Sequence, residues 1–179
     1  MPDNTDDPRT AKRRQRILGI LGTTVAVVGV FIAWQQYERA QRVFAMTEIV
    51  ARWNDNTSDL KNTIEAQYPG LYNRDFFDLL NKSQAQALFD ATEASDAALF
   101  GVRQGIVELL NYFEYIALTC HTGVADETIV REFAGGAMKR WNIALAEFVH
   151  IYNEERGSCV WGPYYSLMEA WGADPIQCG

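Results

Sequence analysis

Cysteine is scarce in this 179-residue chain: there are three, Cys120, Cys159 and Cys178, and no two form a Cys-x-x-Cys pair. The two histidines, His121 and His150, lie far apart in sequence. A structural zinc site needs four closely spaced Cys or His ligands, so no metal site and no cofactor are expected. Basic residues are also in deficit, with 16 Lys and Arg against 23 Asp and Glu for a net charge of -7. Nucleic-acid binding needs clustered cations to neutralise phosphates, which excludes nucleic acid as a partner. The chain has no phosphate-cradling glycine loop, no Gly-x-Ser-x-Gly elbow, no His-Glu-x-x-His and no calcium loop. The expectation is therefore of a protein that is not an enzyme. Alternation of period two is missing as well, which removes the signal for strands and leaves an all-α chain.

What the chain does have is one long uncharged run. Ile17 to Trp34 contains no Asp, Glu, Lys or Arg. As a helix it reaches about 27 Å, near the roughly 30 Å hydrocarbon core of a bilayer. Residues 17–37 are accordingly read as a transmembrane helix preceded by a disordered basic tail, residues 1–16. The run is longer than the apolar part of a cleaved signal peptide, and bulky residues stand where a cleavage site needs small ones, so it reads as a signal-anchor. Trp34 and Tyr37 fall where an aromatic belt meets the far interface, and Arg14 and Arg16 are the anchors at the near one. Gly22, Ala26, Gly29 and Ala33 form a small-residue stripe suited to helix packing in lipid.

Orientation follows from the flanks. Five Lys or Arg lie in residues 9–16, whereas Arg39, Arg42 and Arg52 are spread after the span. The excess predicts a cytoplasmic N-terminus and a periplasmic C-terminal domain at a bacterial inner membrane. On that side Cys159 and Cys178 could close a disulfide around the last segment, while Cys120 reads as a buried thiol.

The extramembrane part, residues 38–179, is long enough for one core. Val43, Met46, Val50 and Trp53 predict an amphipathic continuation of the span as far as Asn54. The cluster Asn54-Asp-Asn-Thr-Ser58 predicts a stop and a new N-cap, followed by a short helix over 58–67. Another short helix is expected over 73–81. Two long antiparallel helices are expected near 96–120 and 126–155, the second capped by Asp126 and ended by Gly157. Gly135-Gly136 inside it marks the close approach of a neighbour or a bend. Pro163 opens a last short helix.

Few side chains suggest chemistry. Glu114 sits in an apolar stretch, where a carboxylate needs a partner; Arg140 is the expected one, forming a buried ion pair, with Arg103 as the alternative. A general acid or base at Glu114 is the less favoured reading, because no nucleophile or second carboxylate stands at a matching spacing. His121 is read as a C-terminal cap and His150 as a packed or solvated side chain. The Gly-Pro turn Trp161-Gly-Pro-Tyr-Tyr165, together with Trp171, is dense in aromatics and is expected to offer a partner surface through Trp161, Tyr164, Tyr165 and Trp171.

The segments Leu109-Leu-Asn-Tyr-Phe-Glu-Tyr-Ile-Ala-Leu118, His121-Thr-Gly-Val-Ala-Asp126 and Ala137-Met-Lys-Arg-Trp141, together with Arg52-Trp-Asn54, resemble the DUF4760 group of bacterial helical proteins. The resemblance runs over Ala40–Trp171 and rests on packing motifs. It implies a helical fold with membrane attachment and no assigned activity. The expectation is of an accessory or scaffolding module whose partners are the bilayer and other membrane subunits or further copies of itself. A sensor holding a small apolar ligand in its bundle is the alternative, and a hydrolase using Glu114 a weaker one.

Overall fold

The computed structural model describes the backbone of residues 8–71 and 79–174 and the side chains of residues 24–53, 58–71 and 79–174. It is helical throughout, with no strand among the described residues: α1 Pro8–Gln67, α2 Lys82–Asp90, α3 Ala97–His121, α4 Glu127–Ala144, α5 Ala146–Arg156 and α6 Gly162–Ala170. The chain divides into two units, Met1–Gln41 and Arg42–Gly179.

In the first unit the described side chains, Thr24 to Gln41, are all exposed, and they include Val25, Val27, Val28, Val30, Phe31, Ile32 and Trp34. Among the described residues no helix is long and apolar enough to cross a membrane. The run expected to do so, 17–34, begins with seven residues whose side chains lie outside the described set.

The second unit holds the core. Its centre is α3, whose Val102, Ile106, Leu109, Leu110, Phe113, Ile116 and Ala117 are buried at near-ideal helical spacing. The later part of α1 packs against it: Ala45, Ile49 and Ile64 are buried, the half-buried Trp53 ring stacks on Phe113 at 6.1 Å, and the Tyr112 hydroxyl donates to the Ile49 carbonyl at 2.5 Å. From another direction α6 lies along α3, and α2 packs on α5 and α3.

Three expectations about the elements need correction. No stop occurs at 54–58; α1 runs through it to Gln67. The cost of a few poor helix formers is tenths of a kcal/mol each, and burial of Ile49 before the cluster and Ile64 after it offsets that. The buried stripe also lies one face away from the one expected. Ala45 and Ile49 enter the core, whereas Val43 is 67% exposed and Met46 and Val50 are only half-buried. Finally, the helix expected over 126–155 is two helices, broken at Leu145 (φ -100, ψ 6). The break frees the Ala144 carbonyl to accept from the Leu80 N–H at 3.1 Å. A contact 64 residues distant in the chain thus replaces a bond inside the helix. The helix expected over 73–81 lies mostly outside the described residues, and Asn81 is the N-cap of α2, in a reciprocal capping box with Gln84.

Other local signals held. Asp126 caps α4 by accepting from the Thr128 and Ile129 N–H groups, Gly157 ends α5 in the left-handed conformation, and Pro163 stands in the first turn of α6. Gly135 meets a neighbour as its pairing with Gly136 suggested: a Cβ there would touch the Trp171 ring at 3.4 Å.

Candidate functional site

The aromatic C-terminal segment is not a surface. Trp161, Tyr164, Tyr165 and Trp171 are all buried, Tyr164 completely. The Trp161 indole N–H donates to Asn111 on α3 at 2.8 Å, the Tyr164 hydroxyl donates to the Met138 carbonyl at 3.1 Å, and the Trp171 indole donates to Glu127 at 2.9 Å. Lys139 closes the same region by donating to the Trp171 carbonyl. Trp161, Tyr164 and Trp171 bond partners inside the bundle, and Tyr165 is buried with its hydroxyl unpartnered among the described residues, so the composition that reads as an interface is the seal between α6 and the rest. Trp161 takes a left-handed backbone (φ 63) to begin α6, a conformation that side-chain-bearing residues rarely adopt.

Glu114 belongs to this seal. Its carboxylate accepts the Tyr164 N–H at 2.9 Å, at the first turn of α6 where the helix dipole favours an anion. This is a different partner from the expected Arg140, because it is α6 that lies along this stretch of α3. Burial raises the Glu114 carboxyl above its ordinary range, and the Tyr164 N–H and nearby His121 oppose that rise. Arg103 is engaged elsewhere: it donates to the Ala91 carbonyl at 3.0 Å and lies over the Phe89 ring. His121 caps its own helix, with Nδ1 2.9 Å from the Ala117 carbonyl, and exposed His150 lies 3.7 Å from Glu154. Neither imidazole hydrogen-bonds to Glu114, and the arrangement contains no nucleophile held against a base.

Among the described residues of the second unit, two concavities bear on function. One, of about 300 Å³, lies between α1 and α3 and is lined by Arg52, Leu60, Glu108, Asn111, Tyr112 and Tyr115. Several of its polar groups are bonded to residues around it: Tyr112 to the Ile49 carbonyl and Asn111 to the Trp161 indole. Arg52 bonds Glu48 at 2.6 Å and lies over the Tyr115 ring, and the Tyr115 hydroxyl donates to Glu48 at 3.1 Å. Burial holds both phenols protonated, Tyr112 far above its ordinary value. The bonds of Tyr112 to Ile49 and of Arg52 and Tyr115 to Glu48 hold α1 onto α3.

The other concavity is an open apolar groove of about 600 Å³ between α1 and the start of α4. Val43, Met46, Val50 and Ile129 form its walls, with Thr47 and Ala51 along the floor and Arg42 and Asp126 at the edges. Asp126 is occupied as the α4 cap. The Thr47 hydroxyl donates to the Val43 carbonyl and is also satisfied within the helix. The sequence pattern picked out Val43, Met46 and Val50; missing from it was Ile129, on a helix whose placement only the tertiary fold sets.

Of the remaining expected residues, Trp34 and Tyr37 are exposed. The Trp34 indole bonds Glu38 at 3.0 Å, and the Tyr37 hydroxyl accepts from Gln41 at 2.6 Å. Ala26, Gly29 and Ala33 are exposed, and a Cβ on Gly29 would meet nothing within 4 Å. The side chains of Arg14 and Arg16, and Gly22 with them, lie outside the described residues. Cys120 is a free, buried thiol that burial pushes up to about 11. Cys159 is disulfide-bonded; Cys178, its expected partner, lies outside the described residues. Among the described residues no group of three His, Cys, Asp or Glu could hold a metal ion.

No curated protein and no solved structure matches the chain. The family model for DUF4760, a domain of unknown function, matches residues 23–171, and the chain belongs to that family.

Proposed function

We propose that this protein is a single-pass, membrane-anchored helical module that acts without catalysis, as an accessory or scaffolding subunit of a larger membrane assembly. The observation that carries the reading is the character of α1. Within the first unit its described side chains put Val25, Val27, Val28, Val30, Phe31 and Ile32 in the open, on every side of one helix. A helix apolar all round has no stable place in water and needs lipid or protein around it. Eighteen uncharged residues, 17–34, match a hydrocarbon core in length. The same α1 then supplies Ala45, Ile49 and Ile64 to the core of the second unit. The small residues Gly22, Ala26, Gly29 and Ala33 would provide the close-packing face toward another membrane subunit or a second copy.

The basic N-terminal flank supports a cytoplasmic start and a periplasmic bundle at a bacterial inner membrane. Disulfide-bonded Cys159 supports the same side, since disulfides persist in oxidising compartments. The bond from the Tyr164 N–H to the Glu114 carboxylate supports a structural role for the residue that looked reactive. The test is alkaline carbonate extraction of native membranes, followed by protease digestion of intact spheroplasts. The expected result is a chain that stays in the pellet and loses its bundle to added protease. Release into the supernatant would refute the anchor, and protection from protease would reverse the orientation.

A further inference from the structure

We infer that the groove between α1 and α4 binds the acyl chain of a free fatty acid, with the carboxylate head held by Arg42. The inference rests on the groove alone, within residues 42–129, and stands whether or not 17–34 enters a bilayer.

The walls decide the tail. Val43, Met46, Val50 and Ile129 present hydrocarbon and a thioether to a concavity of about 600 Å³, inside the range of small-ligand sites. Ile129 is 49% exposed and Val43 67% exposed, so covering them removes a substantial apolar area from water. Methionine adapts its shape to flexible chains, and Met46 stands in the wall.

The charges decide the head. Two charged side chains line the groove, Arg42 and Asp126. The Asp126 carboxylate accepts from the Thr128 and Ile129 N–H groups, so its charge is compensated at the α4 N-terminus. Arg42 stands exposed at the groove edge, its guanidinium a planar fork that matches a carboxylate. A cationic amphiphile would have to compete with the α4 N-terminus for Asp126, whose Oδ1 already takes the Thr128 and Ile129 N–H groups.

The backbone argues against a polypeptide occupant in extended form. Both walls are helices whose N–H and C=O groups bond within the helix, so no edge is open for strand addition. A helix of a second copy is the competing occupant and carries a separate signature in the experiment.

The test uses the full chain reconstituted in nanodiscs of phosphatidylcholine, with dodecanoate as probe and dodecyltrimethylammonium as the equal-length cation. Binding is followed by calorimetry against empty nanodiscs. Saturable binding of dodecanoate near one per chain is expected, with at least tenfold weaker binding of the cation. R42E should weaken dodecanoate by about tenfold or more and improve the cation. I129E should remove binding of both, and circular dichroism of each variant checks that the bundle is folded. Equal affinity for the two head charges, or an unchanged R42E, overturns the inference. So does a cross-link through a photoreactive residue at position 43 to a second copy that added dodecanoate fails to displace. Should the carbonate extraction release the chain, the same titration runs on the released protein without nanodiscs, so failure of the anchor and failure of the groove are read separately.

Discussion

Two glycines in helix interiors make the same chemical change testable in opposite surroundings. Gly136 lies within α4, and a Cβ built there meets nothing within 4 Å. Gly105 lies in α3 where α1 crosses it, and a Cβ there would stand 3.1 Å from Leu60 Cδ2. Replacing either by alanine restricts the unfolded chain and improves helix propensity, together worth about 1 kcal/mol. For G136A nothing opposes that gain, so stability should rise by about 1 kcal/mol, a shift of about 3–5 °C in a domain of this size. For G105A the new methyl pushes on the Leu60 side chain. Overpacking costs about 1–3 kcal/mol, and half-buried Leu60 can give way in part. The net should fall at least about 1 kcal/mol below G136A, between neutral and destabilising. Thermal unfolding followed at 222 nm on the two full-length variants in one detergent measures both. If G105A stabilises as much as G136A, α1 does not lie against α3 as closely as described.

Glu114 provides a pH-dependent check. Its folded carboxyl binds a proton more readily than the unfolded one, with an ordinary value of 4.5, so its charge opposes folding above the raised value, and the penalty fades as pH falls from the raised value toward 4.5 and is gone below it. E114Q, which keeps an acceptor for the Tyr164 N–H, should therefore melt higher than the parent at pH 7–8, with the gap closing by about pH 4; a lower melting point at pH 7 would mean the carboxylate stabilises the fold. Iodoacetamide at pH 8 should leave Cys120 unlabelled in the native protein and label it in denaturant, because burial and a thiol pushed up to about 11 both suppress the thiolate. Trp171→Phe should lower stability more in the parent than in an E127A background, which removes the acceptor, with a coupling of about 1 kcal/mol for the lost indole bond to Glu127.

Much of the helical content is legible from local chemistry. The Asp126 cap, the Gly157 stop, the proline opening α6 and the periodicity of α3 act within one or two turns, and sequence records them. The failures share a cause. The polar residues after Trp53 signal a stop, yet Ile49 and Ile64 on either side are buried in the core, Ile49 against Tyr112 of a helix far along the chain. Leu145 has no local reason to break a helix; the reason is an N–H on Leu80. The aromatics from Trp161 to Trp171 look like an interface because composition cannot tell a ring facing a partner from a ring facing its own Asn111 or Glu127. At Glu114 the need for a partner was readable and its identity was not, since α6 competes with α4 for that face. The groove was half readable: its α1 wall follows from a stripe on one helix, and its α4 wall from tertiary placement.

Helix α3 is enclosed by the earliest and the latest parts of the second unit. Its Tyr112 bonds Ile49, and its Asn111 and Glu114 bond Trp161 and Tyr164. During synthesis the unit therefore cannot close until nearly all of it has left the ribosome. The uncharged stretch of α1 emerges more than a hundred residues before Trp171, so under the proposed anchoring it would reach an insertion machinery while the bundle behind it is still open.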